Sequence, residues 1–87
     1  MNFIKTNFNG LYVIEPKIFE DIRGYFFESY NSEMFKINNI DTNFVQDNQS
    51  QSCKGVLRGL HFQHNPNGQG KLVRVMTGKA LDVVVDL

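Results

Sequence analysis

The chain has 87 residues, room for at most one small domain, and it is 41% hydrophobic with eight Phe, three Tyr and no Trp. Nine basic residues balance nine acidic ones, so it lacks the positive excess that a nucleic-acid or membrane-surface protein uses against phosphates. Its one cysteine, Cys53, cannot form an internal disulfide, which points to a reducing cytoplasm. No basic-then-apolar start resembles a signal peptide, and no apolar run approaches the roughly 18 residues of a membrane span.

Short apolar runs separated by turn signals every ~8–12 residues predict an all-β sandwich or barrel. Leu11-Tyr12-Val13-Ile14 is the first expected strand, ended by Pro16. Asp21-Ile22-Arg23-Gly24 reads as a turn, with Gly24 free to take a positive φ. An aromatic strand, Tyr25-Phe26-Phe27-Glu28-Ser29-Tyr30, follows. Asn31 or Ser32 then caps a single helical piece through Ile37, with Glu33 in its first turn and Phe35 facing inward. Asn38-Asn39 stops it.

Residues 44–49, 55–63 and 71–77 are three further expected strands, and Asn65-Pro66-Asn67-Gly68 is a strong turn signal between the last two. Thr77-Gly78-Lys79 predicts a hairpin into residues 81–87, where Leu81, Val83, Val85 and Leu87 alternate with Asp82, Val84 and Asp86. The chain stops inside that strand signal, which reads as a truncated copy of a longer domain.

Gly55-Val56-Leu57-Arg58-Gly59-Leu60-His61-Phe62-Gln63 sets an arginine and a histidine into a segment otherwise suited to burial. In the plainer reading Arg58 points to solvent and His61 is a hydrogen-bonded core histidine. In the functional one His61 is a proton carrier, since imidazole titrates near neutral pH. In a regular strand Arg58 and His61 have opposite parity and face opposite sides. A shared site therefore requires an irregular backbone between them, and Gly59 is where a bulge is expected.

Lys71, across an expected hairpin from His61, has the charge to polarise a carbonyl or hold a developing enolate. Asp82 has the parity to orient His61 or Lys71, though a solvent-facing role fits equally well. His61 and His64 raise the question of a metal. Metal-binding cupins share a Gly followed about five residues later by His-x-His, then a Glu. Gly55 and His61 keep that spacing, but Gln63 stands in the second histidine's place and no Glu follows. The pattern is two ligands short of a transition-metal site, so neither metal nor other cofactor is expected.

Ile14-Glu15-Pro16, Phe19, Asp21-Ile22-Arg23-Gly24-Tyr25-Phe26-Phe27-Glu28, Phe44-Val45-Gln46-Asp47-Asn48, the Gly55 to Gln63 block and Gly70-Lys71-Leu72-Val73-Arg74-Val75 follow one another in order. In this series the chain resembles the N-terminal half of dTDP-4-dehydrorhamnose 3,5-epimerases, over nearly its whole length. The resemblance implies a cupin-like, jelly-roll β-barrel, of which residues 1–87 are the N-terminal part of a single domain. It implies inversion of C3 and C5 of dTDP-4-dehydro-6-deoxy-D-glucose, giving dTDP-4-dehydro-L-rhamnose for cell-surface polysaccharide. His61 matches the family's general base and Lys71 the residue that stabilises the enolate oxygen. Arg23, Glu28, Gln46, Asp47, Asn48 and Arg58 match the stretches that hold nucleotide and sugar. Tyr25, Phe26 or Phe27 is a candidate wall for the base.

The resemblance also implies a homodimer whose N-terminal strands reach into the partner's site, so that Arg23 and Glu28 serve a neighbour. The family's general acid, a tyrosine, and the carboxylate that pairs with the histidine belong to the second half of the fold. Tyr12, Tyr25 and Tyr30 come too early to be that acid, so the 87-residue chain alone is expected to be inactive. Three alternatives remain at this stage: a mono-epimerase, a nucleotide-sugar 3,4-ketoisomerase, and a non-catalytic cupin module that binds nucleotide sugar.

Overall fold

The computed structural model describes residues 1–64, 68 and 70–87, which fall into two units: Met1–Asp41 with Val83–Leu87, and Thr42–Asp82. Regular structure is confined to the first unit among these residues. All of its strands pair antiparallel, in two two-stranded sheets, and one short helix completes the elements. That much agrees with an all-β reading.

Strands β1 (Asn2–Lys5) and β2 (Tyr12–Glu15) form the first hairpin, with Phe3 opposite Ile14 and Lys5 opposite Tyr12. Strand alternation puts Phe3, Tyr12 and Ile14 on one half-buried face and leaves Ile4 and Val13 exposed on the other. Thr6 ties the loop together: its Oγ1 donates to the Leu11 carbonyl at 2.9 Å and accepts the Phe8 N–H at 3.2 Å. Pro16 then ends β2, as its missing N–H dictates.

The second hairpin joins β3 (Ile18–Asp21) to β4 (Gly24–Phe27), with Phe19 opposite Phe26 and Asp21 opposite Gly24. Ile22 and Arg23 make the expected turn, and Gly24 takes a φ of 135° that a side chain would strain. β1 and β3 carry weak sequence signals. Each has four residues, and the second half of β3 is the acidic pair Glu20-Asp21. The aromatic strand is shorter than its sequence suggests, because pairing with β3 ends at Ile18↔Phe27.

Helix α1 (Ser32–Ile37) begins at Asn31, whose side-chain oxygen accepts the Glu33 N–H at 3.0 Å and the Met34 N–H at 3.2 Å. It ends in a Schellman motif: Asn39 takes φ 65°, its N–H bonds to Lys36 O, and the Ile40 N–H bonds to Phe35 O at 2.8 Å. Asn38 adds a side-chain bond to Met34 O at 2.8 Å. The first unit's core sits here. Phe35 is 2% exposed and meets Phe3 edge-on at 5.2 Å and Tyr30 at 4.7 Å.

The strands expected at 44–49, 55–63, 71–77 and 81–87 are not formed, and that expectation is corrected. A period-2 apolar pattern marks a segment able to be buried, but a strand exists only when a second edge accepts its backbone groups. These segments instead leave their apolar side chains open, with Leu57 and Leu81 each 92% exposed. A bend at Met76-Thr77-Gly78 occupies the place of the expected last hairpin. The turn signal at residues 65–68 lies largely outside the described residues.

Candidate functional site

In the first unit the β3–β4 hairpin positions the expected substrate-binding residues Arg23 and Glu28. Alternation puts Phe19, Asp21 and Phe26 on one face of this hairpin, and Tyr25 and Phe27 on the other, where they stack at 6.0 Å. Of the three candidate base-walling aromatics, only Phe26 lines a shallow groove with Glu28; Met1, Lys17 and Phe19 complete it. Lys17 holds its ammonium 5.2 Å from the centre of the Phe19 ring. Lys17 and Phe19 were not singled out as site residues from the sequence. The period-2 register of a strand between Pro16 and the turn would have found Phe19.

Glu28 is fixed by the helix that follows it. Asn31 Nδ2 donates to Glu28 Oε1 at 2.9 Å while Asn31 Oδ1 caps α1, so a single amide links a candidate ligand to a helix start. Arg23 lies at the hairpin tip, paired with Asp21. Asp21 Oδ1 accepts the Arg23 backbone N–H at 2.8 Å, and Oδ2 accepts Nε–H at 3.0 Å as well as an Nη2–H. The Arg23 side-chain bond, then its backbone bond, hold the Asp21 carboxyl below the ordinary aspartate value. The same pair raises the Arg23 guanidinium.

The second unit carries the expected catalytic pair, His61 and Lys71, with Gln46, Asp47, Asn48, Arg58 and Asp82. All seven are exposed. His61 is thus not the buried core histidine of the plainer sequence reading. No hydrogen bond joins it to Lys71 among the described residues. Arg58 is tied back along its own chain, donating from Nε to Ser52 Oγ at 2.8 Å and from Nη2 to Gln51 O at 3.3 Å. The backbone between Arg58 and His61 is irregular as expected, with Gly59 at φ 108°, but it is not a bulge because no strand surrounds it. Gly70 leads into Lys71 past Thr42, whose Cγ2 lies 2.9 Å from where a Cβ would stand.

The family model described as dTDP-4-dehydrorhamnose 3,5-epimerase matches residues 5–87, a span that includes every site residue expected from the sequence. The chain belongs to this family. Among curated dTDP-4-dehydrorhamnose 3,5-epimerases, that of Methanothermobacter thermautotrophicus is 54% identical over 85 residues, covering 98% of this chain and 45% of the relative. Those of Salmonella typhimurium and Shigella flexneri are 52% and 51% identical across the whole chain, covering 48% and 49% of their own lengths. The chain thus spans about half the length of the epimerases it matches. No helix among the described residues is long and apolar enough to cross a membrane.

Proposed function

We propose that the protein to which these 87 residues belong is a dTDP-4-dehydrorhamnose 3,5-epimerase, acting on dTDP-4-dehydro-6-deoxy-D-glucose within a cupin-like jelly-roll barrel. The observation that carries this reading is the family match across residues 5–87, with identities of 51–54% to relatives of that name. The substrate's C4 ketone makes the protons on C3 and C5 acidic, because removing either gives an enolate. His61 takes the proton, and the Lys71 ammonium holds the negative oxygen that forms at C4. Inversion needs a proton returned from the opposite face. The tyrosine that supplies it, and the carboxylate that orients His61, are assigned to the part of the relatives' length not covered here.

The planar fork of arginine suits Arg23 and Arg58 to the diphosphate, and Gln46 and Asn48 have donors and acceptors for thymine or sugar hydroxyls. Asp47 and Glu28 can accept hydrogen bonds from hydroxyls, with Glu28 oriented by Asn31. Arg23 and Glu28 serve the site of a second copy in a homodimer that exchanges N-terminal strands. Proton transfer next to a ketone needs no metal or organic cofactor. The enzyme works in the cytoplasm.

The test is deuterium wash-in. The full-length gene product is incubated with dTDP-4-dehydro-6-deoxyglucose in D2O, and deuterons in the sugar are counted by mass spectrometry. Exchange at both C3 and C5, abolished by His61→Asn, is the expected result. Exchange at one carbon indicates a mono-epimerase. No exchange at all sinks the enzymatic reading in favour of a binding module.

A further inference from the structure

Arg23 is the hairpin-tip cation assigned above to nucleotide binding, and its surroundings are unusual for an exposed arginine. A guanidinium with 87% of its side-chain surface in water ordinarily samples many rotamers, and a ligand must then pay to order it. Here one carboxylate holds both ends of the residue. Asp21 Oδ1 takes the Arg23 backbone N–H, which sets the turn. Oδ2 takes Nε–H and one Nη2–H, which sets the plane of the guanidinium. Of the five guanidinium N–H groups, two are used and three remain for an anion. The base of the clamp is itself anchored, because Asp21 is the last residue of β3 and sits opposite Gly24 in the ladder.

We propose that Asp21 is a positioning residue that presents Arg23, already ordered, to the diphosphate of a nucleoside-diphosphate ligand. The inference rests on the nucleotide-binding reading of Arg23 given above. It makes a prediction opposite in sign to simple electrostatics. Asp21 places a negative charge beside the expected anion, so charge alone predicts that deleting it tightens binding. Positioning predicts that deleting it weakens binding.

The experiment is a double-mutant cycle on the full-length protein, with dTDP binding measured by calorimetry and KM and kcat measured on the sugar substrate. Asp21→Ala is expected to weaken dTDP binding about fivefold, the loss falling on KM rather than kcat, as removal of pre-ordering requires. Asp21→Asn keeps an acceptor for the backbone N–H but loses the carboxylate fork, so it recovers only part of the loss. In an Arg23→Ala background Asp21→Ala is expected to have no further effect. Unchanged or tighter binding by Asp21→Ala overturns the proposal. So does an equal loss in the Arg23→Ala background, which would mean that Asp21 merely holds the hairpin. Normal dTDP binding by Arg23→Ala alone would overturn the role of Arg23 and that of Asp21 with it, whereas weak binding by Arg23→Ala beside intact Asp21→Ala removes only Asp21.

Discussion

Residues 1–41 and 42–82 are built from similar material and reach different ends. The first stretch has two hairpins, a capped helix and a buried ring. Among its described residues the second has no regular element, and Phe62 and His64 make a local aromatic contact at 5.0 Å. Partner distance along the chain separates them. Every ladder in the first stretch closes within one hairpin, the widest pair being Asn2 with Glu15. Local closure costs little chain entropy, so these elements form from nearby residues. The second stretch carries strong apolar runs such as Val56-Leu57 and Leu72-Val73, yet among the described residues none finds a neighbouring edge. Apolar residues in number do not make a sheet; partners do.

The contrast is broken or sharpened first by truncating one apolar side chain in each stretch. Phe35→Ala is expected to destabilise the first unit by about 3–5 kcal/mol in urea unfolding, the usual cost of deleting a buried ring. Leu57→Ala in the same 87-residue chain should change stability by no more than ~0.5 kcal/mol, as for other exposed positions. If the full-length protein closes the proposed barrel over Leu57, the same change there should cost about 2–5 kcal/mol. A large Leu57 effect in the short chain would show that residues 42–82 pack without further sequence.

A smaller effect tests how local the first unit's order is. Asn31→Ala should cost about 1 kcal/mol by removing the α1 cap. It also releases Glu28, so on the proposed role of Glu28 the substrate KM of the full-length protein should rise while the β3–β4 hairpin stays intact by NMR.

The smallest effect is the titration of Asp21. Its folded pKa is depressed, so its contribution to stability is fully present above the ordinary aspartate value of ~3.9 and is lost as pH falls through the lower folded value. The pair is exposed and screened, so the global melting temperature should hardly register it. An NMR titration of the Asp21 carboxyl should show a midpoint below the ordinary value, rising part of the way towards it in Arg23→Ala, where the backbone N–H of residue 23 still donates. A normal midpoint in the unsubstituted protein would mean that the clamp does not form in solution.

Within the first unit, sequence reading found what local chemistry governs. A cap at Asn31 or Ser32, which proves to be Asn31, Phe35 as the inward residue, Asn38-Asn39 as the stop and Asp21 to Gly24 as the turn are all present. Each follows from a backbone group that must be satisfied within a few residues, or from a φ that few residues tolerate. β1 and β3 went unseen because neither is a mostly apolar run, β1 being flanked by Asn2 and Lys5 and β3 ending in Glu20-Asp21, whereas β2 and β4, of the same length, are mostly apolar. The blocks around Arg23, His61 and Lys71 were enough to place the chain in its family, because recognition needs only residue types in order. The surroundings of those residues were out of reach of the sequence.

By itself, then, the sequence determined the local turns and caps, the family and the candidate residues. Tertiary structure alone decided which apolar runs become strands, that Phe26 shares a groove with Phe19 and Lys17, and that Asp21 grips both ends of Arg23. Runs of Val and Leu look the same with or without a partner edge. A carboxylate two residues from an arginine looks the same whether or not the turn brings them together.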